Sequence, residues 1–66
     1  MTARLIINGI EKVYESGAMP ATLAELLAAM NVDQATVVAE IDGDIVPRDR
    51  FDATCLTDGM TLELVR

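Results

Sequence analysis

The stretch TLAELLAAM, residues 22–30, is the one part of this chain with helical periodicity, and that constrains its fold more than any other feature. Leu23, Leu26, Leu27 and Met30 fall at i, i+3, i+4 and i+7, a single apolar stripe on a helix. Thr22 and Glu25 stand at the spacing of a capping box. Ala24, Ala28 and Ala29 favour helix at little side-chain cost, and Asn31 suits the left-handed position that closes one. Elsewhere the apolar residues alternate. A helix of about nine residues can cover only one face of a sheet, so a two-layer α+β domain follows.

The strands are read from that alternation. ARLIIN, residues 3–8, puts Leu5 and Ile7 on one face and Ile6 on the other, and Asn8-Gly9 supplies the two positive-φ positions of a type I′ turn. IEKVYE, residues 10–15, is the returning strand, and SGAMPA, residues 16–21, breaks the pattern before the helix. TVVAEI, residues 36–41, is a third strand with Val37, Ala39 and Ile41 on one face and Val38 and Glu40 on the other. The turn Asp42-Gly43-Asp44 leads into Ile45-Val46, a brief edge strand that Pro47 ends by removing a donor.

Residues 48–57 read as irregular, held down by Phe51 and Leu56, and Asp58-Gly59 turns the chain into MTLELVR. There Met60, Leu62 and Leu64 point one way and Thr61, Glu63 and Val65 the other. The order strand, strand, helix, strand, short strand, strand runs through residues 1–66 without a linker or repeat, which makes one β-grasp domain: a mixed sheet of four or five strands with one main helix. In that arrangement the first and last strands lie parallel in the middle, joined by a crossover containing the helix.

Composition narrows the function. The chain of 66 residues is 52% hydrophobic but 3% aromatic, so aliphatic side chains must fill the core. Its formal charge of −6 argues against nucleic acid and against an anionic membrane, both of which call for concentrated Lys and Arg. No run is long and apolar enough to span a bilayer and no secretion signal opens the chain, so the expectation is a soluble cytoplasmic protein. Cys55 is the one cysteine, which excludes an internal disulfide, and it is expected to be a small buried hydrophobe.

With no His, the commonest general base and metal ligand are absent; the acidic pair Asp42 and Asp44 lies on a turn, and with Asp49 lacks the spacing of an EF-hand loop. No catalytic, cofactor-binding or metal-binding residue is assigned. What remains is a surface. Ile6, Val38 and Val65 are expected on the face the helix leaves bare, beside Glu40 and Glu63, as a modest docking patch with an acidic rim. Arg48 is a rare positive group on an acidic surface, either contacting a partner or neutralising Asp49 or Asp52.

The stretches LIING (5–9), TLAELLAAM (22–30), IDGDIVPRDRF (41–51) and LTDGMTLELVR (56–66) together resemble the ThiS family, ubiquitin-like sulfur carriers of thiamine thiazole synthesis. Ile45-Val46-Pro47-Arg48 is the most specific piece. The resemblance implies a protein that is a substrate rather than an enzyme, binding no cofactor itself. A ThiF-like enzyme uses ATP to adenylate the carrier's C-terminal carboxylate, sulfur replaces the nucleotide to give a thiocarboxylate, and a ThiG-like thiazole synthase receives that sulfur.

The family ends in Gly-Gly, because a tail without Cβ atoms can thread a narrow channel. This sequence closes with Val65-Arg66, so the thiocarboxylate glycine is absent from it, and neither Arg66 nor Gly59 can inherit the role. The expectation is a natural protein that continues, with Arg66 at the base of the tail. The alternatives are a ubiquitin-like binding module that never carries sulfur, or the small subunit of molybdopterin synthase, which shares fold and tail chemistry but resembles this chain less around IVPR.

Overall fold

The computed structural model describes residues 2–15 and 17–66. Five strands form: β1 (Thr2–Ile7), β2 (Ile10–Glu15), β3 (Val38–Ile41), β4 (Asp44–Val46) and β5 (Met60–Val65), with the helix α1 (Leu23–Ala29) between β2 and β3. They make one mixed sheet in the order β2-β1-β5-β3-β4. β1 and β5 are parallel neighbours with Leu5 opposite Met60 and Ile7 opposite Leu62, and every other pairing is antiparallel. This is the α+β architecture expected from the alternation, with β1 and β5 at the centre. Ser16, part of the expected break before the helix, lies outside the described residues.

The core lies between the sheet and α1. Leu5, Ile7, Ala39 and Leu62 project from the sheet to meet Leu23, Leu26 and Leu27 of the helix, and Phe51 and Leu56 close the cluster from the loop before β5. Burying a leucine or phenylalanine completely contributes about 1.5–3 kcal/mol, so this cluster of aliphatics and one phenylalanine is the main apolar stabilisation of the fold. The stripe read from the sequence is the buried face of α1; Met30, its last member, is half-buried.

Both ends of α1 are closed by identifiable groups. The Thr22 hydroxyl accepts from the Glu25 N–H at 3.2 Å, while its own proton points to the Glu25 carboxylate at 3.3 Å. The next two free N–H groups go to the loop, Leu23 to the Thr54 carbonyl at 3.0 Å and Ala24 to that of Phe51 at 3.1 Å. Residues 48–57 are thus a helix cap as well as a connection. At the other end Asn31 is left-handed at φ 61°, and the N–H groups of Asn31 and Val32 return to Ala28 and Leu27, the bonding of a Schellman motif.

Three expectations are corrected. The helix has seven residues rather than nine. The third strand begins at Val38 rather than Thr36, because the Asp33 carboxylate accepts from the Ala35 N–H at 2.9 Å and winds residues 34–36 into a 3-10 turn. Cys55 is exposed rather than buried: it forms an isolated antiparallel bridge with Thr22, and the local alternation that sends Leu56 inward sends Cys55 outward. No helix among the described residues is long and apolar enough to cross a membrane.

Candidate partner surface and C-terminal segment

The face of the sheet turned away from α1 carries Arg4 and Ile6 from β1, Glu11 and Val13 from β2, Val38 and Glu40 from β3, Ile45 from β4, and Thr61, Glu63 and Val65 from β5, as register and alternation require. The face divides in two. On the β2 side the Arg4 guanidinium holds the Glu11 carboxylate at 3.2 Å, the one ion pair among the described residues. On the β3 side Val38 lies directly opposite Val65, Glu40 opposite both Glu63 and Ile45, and the surface is apolar with an acidic band.

Val38 and Val65 are 53% and 57% exposed and pair directly, and Ile45, 69% exposed, lies on the diagonal from Val38 through its pairing with Glu40, so the register gathers the three into one patch. Ile6 stands apart. It is level with Thr61, four residues and about 13 Å along β5 from Val65. Its side chain is half-buried rather than freely exposed, because β1 is an inner strand and Glu11 and Thr61 flank it on both sides. Ile45, which by sequence alone reads only as part of a brief edge strand, belongs to the patch through its register with Glu40.

Arg48 is exposed on the 3-10 turn Arg48–Arg50 that follows Pro47, and among the described residues it forms no ion pair with Asp49 or Asp52. Glu40 and Glu63 face each other across β3 and β5, and like charges directly opposite destabilise a sheet unless something cationic relieves them.

β5 is fixed at both ends. At its start the Asp58 carboxylate accepts from the Arg4 N–H at 2.9 Å and the Gly59 N–H donates to the Arg4 carbonyl at 2.7 Å, with Gly59 at φ 83°. This sets the strand in register beside Leu5. At its far end the Asn8 side chain meets the backbone of Leu64, with the Leu64 N–H donating to Oδ1 at 2.7 Å and Nδ2 donating to the Leu64 carbonyl at 3.1 Å. Arg66 follows, exposed, at the rim of a depression of about 280 Å³ lined also by Asn8, Met30, Val32, Val37 and Leu64. From the sequence alone Asn8 reads only as a turn residue.

A mixed five-stranded sheet with parallel first and last strands at its centre and one helix across a single face defines a ubiquitin-like β-grasp domain. A family model described as the ThiS family matches residues 5–66, and the chain belongs to that family. The crystal structure of thiamine biosynthesis protein ThiS from Geobacter metallireducens is similar to it, with TM-score 0.79 and 36% identity over 94% of this chain and 90% of that one. An NMR solution structure of a thiamine biosynthesis protein from Geobacter metallireducens gives TM-score 0.77 at 36% identity, covering 94% of this chain and 80% of that one. Comparison with curated proteins gives no match.

Proposed function

We propose that the protein is a sulfur carrier of thiamine thiazole synthesis, a substrate handed between enzymes. The observation that carries this reading is the ThiS family match over residues 5–66, and the likeness to a thiamine biosynthesis protein favours it over a pterin-synthase subunit. In this reading a ThiF-like enzyme docks on the patch of Val38, Val65 and Ile45. The facing carboxylates of Glu40 and Glu63 suit a partner that brings a basic side chain beside its own apolar contacts. Ile6 and Arg48 lie outside that patch and would contribute at its margins.

The chemistry explains why a folded carrier is used at all. A carboxylate is a poor electrophile. Attack of its oxygen on the α-phosphorus of ATP releases pyrophosphate and leaves an acyl adenylate, from which a sulfur nucleophile displaces AMP to give the thiocarboxylate. The ATP belongs to the activating enzyme, and the carrier supplies the carboxylate on a tail that departs from β5 by way of Arg66. A ThiG-like thiazole synthase then takes the sulfur from the thioacid without its release as free sulfide.

The test is ATP–pyrophosphate exchange catalysed by the ThiF-like enzyme of the same organism, with the natural carrier as the second substrate. Exchange that depends on the carrier and saturates with it is the expected result. Exchange indifferent to the carrier would defeat the proposal.

A further inference from the structure

We propose that Asn8 is a positioning residue for the C-terminal end of β5: its carboxamide occupies a strand rung that β1 leaves empty and sets the direction in which Arg66 leaves the sheet after Val65. The functional half of this proposal rests on the carrier reading; the structural half does not.

The backbone groups of Leu62 and Leu64 both face β1. The Leu62 carbonyl accepts from the Asn8 N–H at 2.9 Å, which is the last backbone rung on that flank. The next would need a residue that continued along β1. Instead Asn8 and Gly9 take φ values of 52° and 80°, and the chain reverses into β2. Leu64 would then present an N–H and a carbonyl to no strand, and the Asn8 carboxamide meets both, at 2.7 and 3.1 Å.

A primary amide can do this because it carries a donor and an acceptor side by side, as a peptide group does. A carboxylate offers acceptors alone. On the opposite flank Val65 is paired with Val38. Consecutive residues of β5 are therefore gripped from opposite sides immediately before Arg66, which defines both the direction and the twist of the departing chain. With the Asn8 grip removed, the end of β5 would be held on one flank only. A tail that must reach a reaction centre in another protein is sensitive to such an error, since a displacement of about 1 Å can cost on the order of a hundredfold in rate.

Two variants test the clamp without destroying the turn. Asn8→Gly keeps the positive φ and removes the carboxamide. Asn8→Asp keeps the turn and the acceptor and removes the donor. Both are measured on the full natural chain, first by amide hydrogen exchange at Leu64 and 15N relaxation at Val65 and Arg66, then by the kinetics of adenylation. In Asn8→Gly we expect Leu64 exchange to rise about tenfold, with Asn8→Asp between it and the parent and with Leu5 and Leu62 unchanged, and order to fall at Val65 and Arg66.

Adenylation should lose about tenfold in kcat with KM held within about twofold, the signature of misplacement rather than lost docking. Unchanged exchange and order in Asn8→Gly would overturn the clamp. Altered exchange with unaltered kcat, or a change confined to KM, would overturn its positioning role. A parent protein that is never adenylated would remove the carrier reading while leaving exchange to decide the clamp.

Discussion

Two turns of nearly the same shape flank β5. Asn8-Gly9 has φ values of 52° and 80°, Asp42-Gly43 of 51° and 89°, and each gives its first N–H to a β5 carbonyl, Asn8 to Leu62 at 2.9 Å and Asp42 to Thr61 at 3.0 Å. Their side chains behave differently. The Asn8 carboxamide holds Leu64 by two hydrogen bonds, whereas the Asp42 carboxylate makes none among the described residues. Strand direction explains the difference. β3 runs antiparallel to β5 and reaches its end through Val38, so that flank has no empty rung, while β1 runs parallel and stops short. Reversing the chain and anchoring a neighbouring strand by a side chain are thus separate tasks, and of these two turns only the one with the asparagine performs both.

The largest expected effect tests whether the two turns are equivalent in backbone. A Cβ built on Gly9 or Gly43 meets nothing within 4 Å, so Gly9→Ala and Gly43→Ala should each lose about 1–2 kcal/mol through the left-handed angle alone. Denaturant unfolding showing one loss much larger than the other would break the equivalence. Next is Val65→Glu, which leaves the Asn8 side of β5 intact and alters the flank that pairs with Val38. It should weaken docking to the proposed ThiF-like partner about tenfold, or about 1.4 kcal/mol, with little change in melting temperature. Unchanged affinity would take the Val38–Val65 patch out of the interface.

A smaller effect separates the two side chains. Asn8→Gly should cost about 1 kcal/mol for its two solvent-exposed hydrogen bonds, and Asp42→Gly only a few tenths, for backbone entropy. Equal losses would mean that the carboxamide adds nothing beyond its turn. The smallest lies across β3: Glu63→Gln should stabilise the domain by a few tenths of a kcal/mol by relieving its opposition to Glu40, while weakening partner binding. Chemical denaturation and calorimetric titration of the same variant would show whether the two effects are opposed.

What could be read from the sequence was what local chemistry specifies. Asn8-Gly9 marks a reversal whatever follows it, Thr22 caps a helix through Glu25 three residues on, and Leu23, Leu26 and Leu27 share a face by spacing alone. Met60, Leu62 and Leu64 likewise alternate toward the core. Less visible were the features that need a partner far along the chain. The carbonyls of Phe51 and Thr54 close the start of α1, and nothing in residues 51–54 announces it. Cys55 looks like a core residue until its bridge to Thr22 fixes which way it faces.

The candidate site divides in the same way. Val38 and Val65 were legible as outward residues from alternation, but their direct opposition, the inclusion of Ile45 and the separation of Ile6 depend on register across three strand pairs. Asn8 was hidden for another reason. Its place in a type I′ turn already accounts for an asparagine there, so no residual signal points to a second role 56 positions away at Leu64.

The proposed carrier role requires that a C-terminal carboxylate carried beyond β5 is modified by other enzymes. Intact-mass spectrometry of the natural protein after incubation with its adenylating enzyme, ATP and a sulfur donor tests this most directly. The predicted result is an ATP-dependent gain equal to the exchange of one oxygen for sulfur, located in the C-terminal peptide. A mass that stays constant under conditions where the enzyme is active, or a gain located elsewhere in the chain, would contradict it.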